Sequence, residues 1–161
     1  PFRSLTIENC KLESIPPRSF VGLTNLETLS IRTQAATVPL ALDYEAFVGL
    51  ENLRHVDLAQ NNIKAIPDNL FCPIKTSFTL NLRENRLTSD KLGSCKLNIT
   101  KLDVSYNEIK TISQNFLGHL TSLTEFKARQ NRVEAVDKLA FGGLAVLASV
   151  DLSHNRYVKS V

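Results

Sequence analysis

"LRHVDLAQNNIKAI", residues 53–66, carries two periods at once. Val56 and Leu58 alternate as in a strand, and then Asn61, Ile63 and Ile66 follow at other spacings. An asparagine among apolar residues is costly in a core unless its amide is hydrogen-bonded. Yet the arrangement recurs. Aligned on L-x-x-L-x-L-x-x-N-x-L, copies begin at Phe2, Leu26, Leu53, Ser77, Ile99, Leu123 and Leu147, at spacings of 24, 27, 24, 22, 24 and 24 residues. The clearest are "LRHVDLAQNNI", "ITKLDVSYNEI" and "LTEFKARQNRV".

This spacing and pattern resemble leucine-rich repeats. The implied fold is α/β: a curved solenoid with a parallel β-sheet on its concave face and loops or short helices on the convex side. The whole of 1–161 reads as one such domain. Strands of successive units stack roughly 4.8 Å apart. Positions 4 and 6 of each unit point inward and are buried only when neighbours stack. The asparagine falls where the chain leaves the strand and backbone groups need partners. Asn61, Asn85, Asn107, Asn131 and Asn155 are therefore expected to form a buried, hydrogen-bonded ladder. Cys10 takes that position in the first unit and Gln34 in the second, where Ala36 is the next apolar position. The second unit is long, and its "TQAATVPLALDYEAF" is expected to bulge. On the return halves, Phe20, Phe47, Phe71 and Phe141 are expected to stack into a spine. Leu117 fills that slot in the fifth unit, and Gly93 leaves it empty in the fourth.

Bulk composition excludes several classes. The chain has 161 residues, 43% of them apolar, and a net charge of +3 from 19 basic and 16 acidic side chains. That charge is too mild to indicate a nucleic-acid surface. No stretch approaches the ~20 apolar residues that span a bilayer. The opening "PFRSLTI" reads as a strand rather than a signal peptide, as expected of a fragment. Its ends are ordinary repeats without caps, so both should expose apolar surface and favour self-association.

A narrower resemblance lies in "NLFCPIKTSFTLNLRENRL". An F-C-P ending one unit, with a cysteine near the end of the next, resembles the invertebrate Toll receptor family, in the amino-terminal part of the ectodomain. The resemblance implies recognition of a protein ligand of the Spätzle-type cystine-knot cytokine class, and pairing of receptor chains. It implies a single-pass membrane protein whose cytoplasmic Toll/interleukin-1 receptor domain signals in immunity or development. The alternative is a secreted or cell-surface adhesion or matrix protein of similar repeats.

Position 5 reads Thr6, Ser30, Asp57, Asn81, Asp103, Lys127 and Asp151. Asp57 and Asp103, two strands or about 10 Å apart, are too far for an inverting carboxylate pair on an open face without a pocket. They read as solvated charge, and no catalytic residue is assigned. His55, His119 and His154 lie too far apart to share a metal. No cofactor, small-molecule substrate or nucleic acid is expected.

Positions 3, 5 and 7 line the concave face. Its 21 side chains include Arg32, Arg83, Lys101, Lys127 and Arg129 against Glu8, Asp57, Asp103, Glu125 and Asp151, which balance. With His55, all of these except Glu8 and Asp151 are the candidate partner-binding residues, their mixed charges suiting registration of a protein. Phe78 and Tyr106 lie near the edges, leaving a flank as a further contact area. Cys72 and Cys95, on the same side of adjacent turns, are expected to form a disulfide, with Cys10 reduced and buried. "NIT" at 98–100 makes Asn98 the expected glycosylation site.

Overall fold

The computed structural model describes residues 2–33, 37–88 and 91–156, and the backbone of 159–160. Gln34 and Ala36 lie outside the described residues. In chain order the elements are β1 (Ser4–Glu8), β2 (Ser14–Ile15), β3 (Thr28–Arg32), β4 (Ala41–Leu42), β5 (His55–Asp57), β6 (Phe78–Asn81), β7 (Ile99–Asp103), β8 (Thr111–Ile112), α1 (Gln114–Leu117), β9 (Glu125–Lys127), β10 (Ala135–Val136), β11 (Ser149–Asp151) and β12 (Lys159–Ser160). The strands at the repeat positions form one seven-stranded sheet, in the order β1-β3-β5-β6-β7-β9-β11. Every pairing in it is parallel. Short return strands form two smaller parallel sheets, β2-β4 and β8-β10-β12.

Parallel strands need a crossover between them, commonly a helix. Here each return has 17–22 residues to cross the core's width and come back. A helix gains only about 1.5 Å per residue, against about 3.3 Å for extended chain. Turns and extended segments therefore dominate. The one helix among the described residues, α1, has 4 residues, and the Ser113 hydroxyl caps it by accepting the Phe116 N–H at 3.2 Å.

Leu26, Leu29, Ile31, Leu53, Val56, Leu58, Ile99, Leu102, Val104, Leu123, Phe126 and Ala128 are all buried from the sheet side. The asparagines close the core at the strand ends. Asn85 shows the pattern. Its Oδ1 accepts the Asn61 and Ile63 amides of the previous unit at 3.1 and 3.0 Å. Its Nδ2 donates to Leu58 O and Leu82 O, at 2.9 and 3.0 Å, one carbonyl from each unit. Asn107 and Asn131 bridge their own pairs of units in the same way. Asn61 accepts from both the amide and the hydroxyl of Thr33. Asn155 makes the same bonds but is half-buried in the last unit.

Three expectations need correction. Phe78 is not an edge aromatic but a core residue, 1% exposed. Its unit has Ser77 at the expected first leucine position, and Ser77 points outward. Phe78 instead lies opposite Ile99, and the register then skips Thr100 so that Thr79 faces Lys101. The bulge lets a short unit turn its aromatic ring inward beside Leu80 and Leu82. The spine also differs. Phe20, Phe47 and Phe71 stack at 6.2 and 5.9 Å, and Phe71 passes the row to Phe78 at 6.2 Å, inside the sheet, where Gly93 supplies no ring. A second row joins Phe116 to Phe126 and Phe126 to Phe141. Leu117 is buried as expected, but the ring contact is made by its neighbour Phe116. Cys10 is a free thiol but only half-buried, because β1 has a neighbouring strand on one side alone.

The long second unit returns to the core at Leu40, whose amide bonds Asn61 O at 3.0 Å, while Val38 and Tyr44 on either side stay exposed. In the "FVGL" turns, Gly49 has φ +95, and a Cβ there would lie 3.4 Å from the Val21 backbone of the turn beneath. Glycine suits both the backbone angle and the close stacking. At the ends of the sheet, Phe2 is 52% and Val150 41% exposed, and Leu5, Ile7, Leu147 and Leu152 are half-buried.

Candidate functional site: the concave face and its flanks

Alternation along each strand sends positions 3, 5 and 7 to the concave side. Position 5 has a structural duty that sequence reading missed. Asp57, Asn81, Asp103 and Asp151 each accept, through Oδ1, the backbone N–H two residues on, at 2.9–3.0 Å. The bond caps the strand end as the chain turns. The repeated Asp/Asn in "VDLA", "LNLR", "LDVS" and "VDLS" was the available signal. At Asp151, hydrogen bonds from Ser153, with help from Arg129 and Lys127, hold the carboxyl below its usual range.

The remaining charge is largely paired across strands. Arg32 is ion-paired and hydrogen-bonded to Asp57, which also accepts from Asn81 Nδ2 at 3.5 Å. That hydrogen bond raises the Arg32 pKa further. Arg83 lies 3.9 Å from Asp103. Glu125 sits between Lys127 at 3.3 Å and Lys101 at 3.8 Å. His55 is exposed, with Nδ1 3.0 Å from the Thr79 hydroxyl. Arg129 is half-buried, and its backbone N–H donates to the buried Ser105 hydroxyl at 3.1 Å. The structure thus brings the candidate charges together as pairs, which steer and register more than they bind.

The flank where strands begin carries Asn25, Asn52, Thr76 and Asn98, each just before its strand. Arg3 and Glu27 pair there at 2.6 Å, and Asn52 donates to Thr24 O at 2.7 Å. Asn98 is half-buried rather than open, because its carbonyl accepts the Phe78 N–H at 3.0 Å at the bulge. On the return side, Cys72 and Cys95 are joined by a disulfide, with Cα atoms 5.9 Å apart. Among the described residues no cluster of His, Cys, Asp and Glu is arranged to hold a metal. Also among them, no helix is long and apolar enough to cross a membrane.

The flank where strands end differs. Position 8 adopts a left-handed backbone at Asn9, Gln60, Glu84, Tyr106, Gln130 and His154, with φ between 52 and 61°. A groove of about 710 Å³ runs along units five to seven here, lined among others by Tyr106, Glu108, Lys110, Gln130, Arg132, His154 and Arg156. Glu108 is shared by Arg132 at 3.2 Å and Arg86 at 3.7 Å.

A solenoid of stacked single-strand units, closed by an asparagine ladder and presenting a paired-charge concave sheet, defines a leucine-rich repeat protein. The chain belongs to the leucine-rich repeat family, whose model matches residues 39–87 and 97–157. It is similar to Toll-like receptor 7 of Drosophila melanogaster, at 30% identity over 89% of this chain and 11% of that protein. It is also similar to keratocan of Coturnix japonica, at 28% identity over 96% of this chain and 43% of that protein. It therefore spans about a tenth of the receptor and less than half of keratocan. A crystal structure of a TLR13–ssRNA13 complex superposes with a TM-score of 0.82, at 23% identity, covering 98% of this chain and 22% of that one.

Proposed function

We propose that this chain is a ligand-recognition segment of the extracellular part of a Toll-like transmembrane receptor, and that its ligand is a protein of the Spätzle-type cystine-knot class. The observation that carries this reading is the concave face itself. Seven parallel strands present charges already paired with one another and spaced unit by unit, with His55, Lys101, Lys127 and Arg129 at their margins. Such a face registers a large, mixed-charge surface rather than enclosing a small substrate. Similarity to Toll-like receptor 7 over most of the chain supports the same reading. The RNA named with TLR13 is a poorer model for this chain, because the concave charges balance and polyanion binding needs a net basic track.

The extracellular reading includes an N-glycan on Asn98, which would cover the strand-start flank. Intact mass of the protein secreted from eukaryotic cells should show the added glycan. A peptide N-glycanase, which hydrolyses the glycosylated side-chain amide, should remove it and leave aspartate at position 98.

The alternative, a matrix or adhesion protein, is favoured by the keratocan similarity. The two readings separate in one binding experiment on the immobilised chain. We expect saturable binding of a Spätzle-type cytokine dimer, weakened about tenfold by Lys127→Glu or Arg129→Glu, the size of one displaced ion contact. Binding to fibrillar collagen with none to the cytokine would replace the receptor reading by the matrix one.

A further inference from the structure

Tyr106 is the exception in its row. Asn9, Gln60, Glu84, Gln130 and His154 share its left-handed backbone, but Tyr106, at φ 57°, is the one benzenoid ring among them. The turn of the repeat imposes this backbone in each of these units, and a large ring there is uncommon, whereas Asn and His are enriched in it. The ring is not spent on the core, being 37% exposed. The Arg83 guanidinium lies 4.5 Å above its centroid, so a concave-face cation is stacked on a flank aromatic. Tyr and Arg together are the side chains most enriched at binding hot spots.

The surroundings state the partner's chemistry. Glu108 is neutralised by Arg86 and Arg132. Lys110, His154 and Arg156 have no ion-pair partner among the described residues, and Glu134 is the one other carboxylate lining the groove, while Arg83 is itself opposed by Glu84 at 3.5 Å and Asp103 at 3.9 Å. The groove is therefore mildly positive, with an aromatic–guanidinium platform at its concave end. It also lies on the flank opposite Asn98, clear of a glycan there.

We infer that the Tyr106–Arg83 stack anchors a second contact of this solenoid, in which an extended, carboxylate-bearing segment of a protein partner lies along the groove toward Arg156. The inference deepens the receptor reading and rests on it for the identity of the whole ligand. A single-stranded nucleic acid fits less well, since it needs repeated stacking platforms and a groove without carboxylates.

The test uses fluorescence anisotropy with three probes on the chain: a short peptide of alternating glutamate and serine, its lysine counterpart, and a single-stranded RNA. The glutamate peptide should bind and the lysine peptide should not. Tyr106→Asn removes the ring while keeping a residue that tolerates the left-handed backbone, so the turn survives. Tyr106→Asn and Arg156→Glu should each weaken binding about tenfold, approaching hot-spot size. Arg54→Glu, on the opposite flank, should leave it unchanged. Equal binding by the two peptides, tighter binding of the RNA, or indifference to Tyr106→Asn in a variant of unchanged melting temperature would overturn the inference. If the cytokine dimer binds wild type and Tyr106→Asn equally, this contact fails while the receptor reading stands. If the peptide binds as expected but the cytokine does not, the receptor reading fails alone.

Discussion

At the scale of single residues, the ladder asparagines carry the largest energetic consequences. Replacing Asn85 by Ala leaves the Asn61 and Ile63 amides without their acceptor, while Leu58 O and Leu82 O each keep one donor in Asn61 and Asn107. Each buried unsatisfied group costs about 1–3 kcal/mol, so we expect a loss of about 2–6 kcal/mol in urea denaturation. A loss below the size of one hydrogen bond would mean that water replaces the amide. His119 sets a pH dependence. Its Nε2 is buried with no hydrogen bond among the described residues, and burial lowers its pKa below the ordinary value. The unfolded chain then binds the proton more readily than the folded one. Stability from this group is present above the unfolded pKa of about 6.5 and is lost as pH falls through the folded value. Thermal unfolding should therefore move to lower temperature between about pH 7.5 and about pH 5.5, and His119→Gln should reduce that slope.

At the scale of elements, the fourth unit is the weak turn and the disulfide its brace. It has Gly93 in the spine slot, Ser77 at the first leucine position, and a bulge beside Phe78. Cys72 and Cys95, 23 residues apart, enclose most of this unit. Closing a loop of that size is worth about 3 kcal/mol through the unfolded chain. Cys72→Ala/Cys95→Ala should lose about that much, and hydrogen exchange should rise first in β6 and the segment leading to β7. A uniform rise over all strands would show that the bond acts on the unfolded state alone. Phe78→Ala should cost about 3–5 kcal/mol, the size of a large core deletion, although its sequence frame gives it no inward position.

At the scale of the whole molecule, stability is a sum of units and their neighbour contacts. Central strands have neighbours on both sides, and β1 and β11 on one. Native-state hydrogen exchange of the 161-residue chain should give the least protection in those two strands. Light scattering should detect association that grows with concentration, driven by Phe2 and Val150 at the open ends. Equal protection throughout in a monomer would show that exposed end faces cost less than their apolar area implies.

The unit-by-unit plan was legible in the sequence because it depends on contacts that repeat. Inward positions 4 and 6, the asparagine at the turn and the concave row follow from the period of a strand and the need to satisfy buried backbone groups. The strand-capping role of position 5 is equally periodic, but an Asp or Asn at an outward position does not by itself show whether its oxygen turns to the backbone or to solvent. What only the tertiary structure decided are the meetings between units. Thr100 drops out of register and carries Phe78 into the core. Phe116 and Phe126 replace the expected spine partner. Arg83 crosses from the concave row to lie on Tyr106. Each depends on the stacking register between neighbouring turns, a distance along the solenoid axis that a repeat read one unit at a time does not contain.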